Sequence, residues 1–201
     1  MINEHFVLLG ALLNLFGSSS YVIATLKGQT KPNRVTWFLW ALAPMIALSA
    51  MLSEGVGLSA LMTFMVGFGP FMVFVASFVN PKAYWQISRL DIACGALSLA
   101  ALVLWAITKT GDIAIALSIA SDLLAGVPTL IKSYQEPKTE NYGVFLMGTV
   151  SAIITLLTLK NWDFAHFGFT VYILLMCTAL FFLIAFPTWR PASVRNRLRI
   201  W

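Results

Sequence analysis

Asp122 is the only charged side chain in "IAIALSIASDLLAGVPTLI", Ile113–Ile131. A carboxylate in the middle of so apolar a run has two chemical uses. It can carry a proton, or it can accept hydrogen bonds from a polar ligand. An ionisable group at mid-membrane depth usually faces a cavity or a partner, and marks a functional site by default. The plain alternative is a protonated acid bonded to a neighbouring helix. Ser118 and Thr129 share its face at helical spacing. A second polar stripe, Asn14, Ser18, Tyr21 and Thr25, runs at i, i+4, i+7 and i+11 through the first apolar run. Such stripes line cavities, or hold helices together by hydrogen bonds. Trp37 and Trp40, in "TWFLW", stand one turn apart. They offer two aromatic planes to a ring-shaped or sugar-like ligand, or form an interfacial aromatic belt. Trp40 lies deeper and is the better pocket candidate. Tyr172, with Thr170 and Thr178, brings polar groups from the last run, and Thr63 and Ser77 do so from the third.

Catalysis is not expected. One intramembrane aspartate is too few for an aspartyl dyad. His5 and His166 fall at the ends of runs, and Cys94 and Cys177 read as small apolar residues, so no metal ligand set forms. No lysine occupies the last run, which argues against a retinal protein. The expectation is no enzyme, no metal and no cofactor.

The elements that must position these residues follow from composition. The chain has 201 residues, 59% of them apolar and 10% charged, against about 25% charged in ordinary globular domains. Charge-free stretches run over Phe6–Leu26, Val35–Ser53, Gly55–Pro81, Ile92–Thr108, Asn141–Leu159 and Phe167–Trp189. Ile113–Ile131 is the seventh, broken only by Asp122. Each suits a helix of roughly 20 residues, the length that crosses the hydrocarbon core. Seven crossings leave no room for a soluble domain.

Eleven of the thirteen Lys and Arg residues fall on one side of such a seven-span chain, in the loops after spans one, three and five and in the C-terminal tail. Lys109 and Lys160 alone fall on the other. By the positive-inside rule the N-terminus is outside and the C-terminus cytoplasmic, which suits a multi-pass protein of the cell (inner) membrane. The net charge of +5 then reflects topology, and no nucleic-acid partner is expected. Membrane lipids are partners. The basic tail "RPASVRNRLRIW" suits anionic headgroups, with Trp189 and Trp201 at the interface.

Two phrases repeat. "YVIATLKGQTKPNRVT" and "GVPTLIKSYQEPKTEN" align at an offset of 105, pairing Lys27 with Lys132, Pro32 with Pro137, Trp37 with Tyr142 and Trp40 with Phe145. The plan is 3+1+3: a first triple-helix bundle over 1–81, a linker helix over 82–110, a second bundle over 111–187 and a basic tail over 188–201. One unmatched helix makes the two bundles parallel, and such repeats place a substrate site near the midplane between them. Lys132 and Pro137 mark the cytoplasmic end, while Glu140 and Asn141 are placed to cap the sixth helix.

The stretch "PTLIKSYQEPKTENYGVFLM" resembles the PQ-loop motif: proline, an apolar pair, lysine, a short polar turn, then a new span. The chain is similar in plan to the PQ-loop, or SWEET-like, small-solute transporters, and to a group of bacterial membrane proteins carrying D…PT…K…P…EN. The motif's glutamine is replaced here by Thr129 and Ala24. The resemblance implies an all-α membrane protein of seven transmembrane helices with parallel triple-helix-bundle repeats. It also implies alternating access, with Pro128, Pro44 and Pro70 as hinges, although Ile23 and Thr149 take two of the four proline places. The asparagines that contact sugar in SWEETs have no match. A W-x-x-W pair also occurs in vitamin-precursor transporters that share the fold. The expected activity is transport of a small polar solute (sugar, vitamin precursor or related metabolite), proton-linked or not. The site residues are Asp122, Trp40, Trp37, Asn14, Ser18, Tyr21, Ser118 and Tyr172. The alternative is a receptor or sorting protein, as the KDEL receptor is on this fold. A peptide-tail receptor needs basic residues inside the cavity, and none is expected within the spans. Assembly into a homo-oligomer is left open.

Overall fold

The computed structural model describes residues 2–108 and 111–186, which hold helices and no strand. In chain order the α-helices are α1 Phe6–Leu26, α2 Arg34–Ser53, α3 Ala60–Ala76, α4 Arg89–Thr108, α5 Gly111–Gln135, α6 Tyr142–Thr158 and α7 Phe164–Ala185. A 3-10 turn, Pro137–Thr139, joins α5 to α6. Lys109, the tail arginines, Trp189 and Trp201 lie outside the described residues.

Helix starts follow the capping residues. Asn33 accepts from the amides of Val35 and Thr36, Asn141 from that of Gly143, and Asp163 from that of His166. Asn141 therefore caps α6 alone, and Glu140, expected to share that role, is used elsewhere. The chain leaves α1 through Gly28 at φ 72°, a left-handed position that glycine adopts without a Cβ clash.

Four helices, α1, α2, α5 and α7, are long and apolar enough to cross a membrane by length and composition. Two more, α3 and α6, are apolar but span 17 residues each, close to 26 Å at about 1.5 Å per residue. The charge-free stretch over 55–81 overstated α3 because an uncharged turn looks the same as an uncharged helix in composition. Large apolar side chains face outward along the helices, among them Phe64, Phe68 and Phe71 of α3, which suits a lipid-facing surface.

Neighbours form a closed ring. α1 packs on α3, α3 on α2, α2 on α5, α5 on α7, α7 on α6, and α6 back on α1. α4 lies outside the ring against α5 and touches α2. Successive helices run in opposite directions. At one end the start of α1 meets the end of α6, with Ile2 N donating to Leu157 O and Lys160 paired with Glu4 at 2.9 Å. At the other, Arg34 at the start of α2 donates to Ser77 O at the end of α3, and Asn33 bonds Asp91 in the first turn of α4. Two buried apolar clusters fill the ring. One gathers Met51, Ile115 and Phe169, the other Tyr21, Trp37, Trp40, Phe145 and Leu180.

The expected 105-residue correspondence does not pair like with like. The cap asparagines are Asn33 and Asn141, which stand 108 apart. Trp37 is buried at 1% exposure, whereas Tyr142 is 53% exposed. Lys27 is exposed at the end of α1, while Lys132 is buried inside α5. Charge and proline had been matched, but α5 is 25 residues long against 21 for α1, so a register anchored on Lys27 and Lys132 slips.

Candidate functional site

A cavity of about 60 Å³ opens inside the ring, bordered mainly by the second apolar cluster. Asn14 and Ser18 reach it from α1, Trp37 and Trp40 from α2, Pro70 from α3 and Asp122 from α5. All six are predicted residues. The i, i+4 spacing of Asn14 and Ser18 puts both on the inner face of α1, and the same logic holds for the tryptophans one turn apart.

Asp122 is the chemical centre. Only 2% of it is exposed. Its Oδ2 accepts from Tyr172 Oη at 2.6 Å, while Oδ1 is buried without a hydrogen-bond partner among the described residues. The helix backbone around it is also engaged. Trp40 Nε1 donates to Asp122 O at 3.1 Å, and Thr36 Oγ1 donates to Ala125 O at 2.7 Å. Both contacts fasten α5 to α2 in the turn before Pro128. That proline has no N–H to give to Leu124 O, so this turn is the least self-sufficient part of the helix. An unpaired buried carboxylate oxygen carries a penalty of about 1–3 kcal/mol or more. A donor entering the cavity relieves it.

The aromatic walls differ from the expectation of two parallel plates. Trp37 and Trp40 meet edge to face, 5.4 Å apart at 77°, and Trp40 meets Phe145 in the same way at 6.3 Å and 76°. A flat ring cannot lie against both indoles at once. The rings instead make a box that shows both faces and edges. Trp37 belongs to this box and not to an interfacial belt.

The other predicted residues do not line the cavity, and all but the half-buried Tyr172 are buried. Tyr172 stands behind Asp122 and holds one of its oxygens. Ser118 and Thr129 are buried in α5. Pro44 and Pro128 are buried within α2 and α5. Tyr21 points to a separate centre. Its hydroxyl donates to Glu140 Oε2 at 2.5 Å, and Glu140 Oε1 pairs with Lys132 Nζ at 2.6 Å. Lys132 Nζ also donates to Lys31 O and lies 4.8 Å from the Trp85 ring. Both charged side chains are buried, at 1% and 0% exposure. Lys132 sits in the last turn of α5, where Glu140 neutralises it, and it does not line the cavity. Sequence reasoning missed this pair because eight residues and a proline turn separate its members. It also missed Phe145, Gly148 and Met176, which line the cavity with no polar signal.

No protein-family model, no curated protein and no solved structure matches the chain.

Proposed function

We propose that the chain is a SWEET-like membrane transporter or facilitator that moves a small polar solute by alternating access, with its N-terminus outside and its C-terminus cytoplasmic. The observation that carries this reading is Asp122, with one buried oxygen unpaired, on the lining of a cavity between helices from both halves of the chain.

The 3+1+3 plan finds support in how contacts pair off. With α1, α2 and α3 set against α5, α6 and α7, the α1–α6 contact corresponds to α5–α2, α1–α3 to α5–α7, and α2–α3 to α6–α7, and all of these pack. An offset of 108 extends the correspondence to residues. It pairs Asn14 with Asp122, Trp37 with Phe145 and Trp40 with Gly148, and all six line the one cavity. It also pairs two contacts across the ring: Val144 packs against Gly17 so closely that a Cβ there would lie 3.1 Å from Val144 Cα, and Thr36 bonds Ala125. Such pairing is expected of two bundles related by an axis along the membrane normal. In this frame α3 and α6, at 17 residues, sit at the short end of spanning helices. The two triplets and α4 complete seven crossings, and Pro128, Pro44 and Pro70 are the hinge candidates.

The test is flux of candidate solutes into proteoliposomes. Asp122→Ala removes a hydrogen bond to a charged group worth about 1.5–3 kcal/mol, so transport efficiency should fall by roughly 10- to 150-fold. Flux at the wild-type rate in that variant overturns the role of Asp122.

A further inference from the structure

Resting on the cavity as the ligand site, we infer that it takes a small organic ammonium ion and not a neutral polyol. Three observations point there. First, Asp122 lines the cavity and has one buried oxygen without a hydrogen-bond partner, and no Lys, Arg or His lines it among the described residues. The buried cation nearest in sequence, Lys132, is already committed to Glu140. A carboxylate without a counter-charge in a low-dielectric site is complementary to a cation. Second, Trp37, Trp40 and Phe145 border the same space. Aromatic faces attract a cation through their quadrupole, and more strongly when water is excluded. Third, the polar groups available are few. Beyond Asp122, the polar groups of the lining among the described residues are Asn14, Ser18, the Cys177 thiol and the indole N–H groups of Trp37 and Trp40, the last already bonded to Asp122 O. A polyol would bury several hydroxyls against apolar walls without partners, at about 1–3 kcal/mol each. A single ammonium group on a short chain concentrates its polarity at one end and leaves the rest to the rings. The size agrees. A cavity of about 60 Å³, at about 10–15 Å³ per water-sized group, admits four to six non-hydrogen atoms.

The experiment compares matched probes on the purified full-length protein in detergent. Thermal unfolding is followed with 2-aminoethanol, protonated at neutral pH, and with its uncharged counterpart ethane-1,2-diol. Sodium chloride at the same ionic strength is the third arm. The ammonium ion should raise the unfolding midpoint saturably, by about 5–10 °C at a hundredfold excess over its dissociation constant. The diol and sodium chloride should not. Quenching or a spectral shift of tryptophan emission should follow the same concentration dependence and be lost in Trp40→Phe. In Asp122→Asn the gap between ammonium and diol should close. The wild-type comparison decides alone if a variant does not fold. Equal protection by the diol, or protection by neither organic probe, overturns the inference. Protection by sodium chloride equal to that by the ammonium ion overturns it as well, since the aromatic box would then play no part. Proteoliposome flux separates the two levels. Saturable ammonium binding without flux of that ion overturns transport and leaves the cation site standing. Flux of a neutral solute with no ammonium binding overturns the cation site and leaves transport standing.

Discussion

Replacing Glu140 by Gln tests the buried pair that closes the ring beside the α5–α6 turn. Wild-type Glu140 holds Lys132 through Oε1 at 2.6 Å and receives Tyr21 Oη on Oε2 at 2.5 Å. Glu140→Gln keeps the shape but leaves the ammonium group of Lys132 with a neutral amide oxygen and Lys31 O. Breaking a buried ion pair from one side costs about 3–5 kcal/mol, because the remaining charge stays desolvated. Lys132→Met strands the carboxylate and should cost a similar amount. In the double variant both charges are gone, and the loss should fall to about that of one single variant or less. The cycle should therefore yield a coupling of about 3 kcal/mol or more, at the upper end for contacting residues. The assay is thermal unfolding in detergent. At roughly 2–4 °C per kcal/mol for a chain of this length, each single variant should lose about 6–20 °C. Losses of about 1 kcal/mol or less in both single variants, adding without coupling, are the behaviour of a solvated pair. That result would refute burial as the source of its strength.

Two more outcomes follow from the helix ends. Asn141→Ala should cost about 1 kcal/mol, the usual value of an N-cap. Asn33→Ala should cost about 2–4 kcal/mol, because it also takes a partner from the buried Asp91 carboxylate; equal losses in the two variants would show that the Asn33–Asp91 contact contributes nothing. At the start of α7, the hydrogen bond from the His166 ring holds the Asp163 carboxyl below the usual carboxylate range. A lowered folded-state value contributes stability that is present above the ordinary carboxylate pKa and lost as pH falls through the folded one. Asp163→Asn retains a good capping side chain. It should leave the midpoint near neutral pH little changed and flatten its decline below about pH 4, as read from unfolding scans at pH 7 to 3.

Much of the site was legible because one-dimensional spacing reports a face. Asn14 and Ser18, or Trp37 and Trp40, share a helix face by arithmetic, and a lone acid in an apolar run has to find polar company. Periodicity does not say which helix that face meets. Nothing in the spacing says that Tyr172 reaches Asp122 or that Phe145 closes the aromatic box. Gly148 carries no polar atom at all, yet it opens space beside Cys177, whose Sγ would lie 2.8 Å from a Cβ placed there. Glu140 was read as a cap because it precedes a helix, where a carboxylate is favoured. Asn141, one residue later, reaches the free amide itself, which releases Glu140 to turn inward toward Lys132 and Tyr21. The 105-residue register anchored on Lys27 and Lys132 did not hold, since the longer α5 displaces its lysine relative to the end of α1.

The Tyr21–Glu140 bond gives the proposed transport cycle its sharpest test. It joins α1 to the residue before the α6 cap, and Lys132 reaches from α5 to the carbonyl of Lys31 between α1 and α2. These contacts bind the two halves at one end of the cavity, so a path to Asp122 from that end opens only when they break. The interactions that stabilise the closed ring then also oppose its opening. Tyr21→Phe removes one hydrogen bond to a charged group, worth about 1.5–3 kcal/mol, and leaves Lys132 and Glu140 paired. The unfolding midpoint should fall. If opening at this end limits the cycle, flux should rise by as much as roughly 10-fold, since about 1.4 kcal/mol less resistance is a factor of ten in rate. Stability and transport moving in opposite directions is the signature of a latch. A variant that loses both together shows that this contact supports only the fold, and the gate must then be sought at the opposite end, where Met51, Ile115 and Phe169 pack.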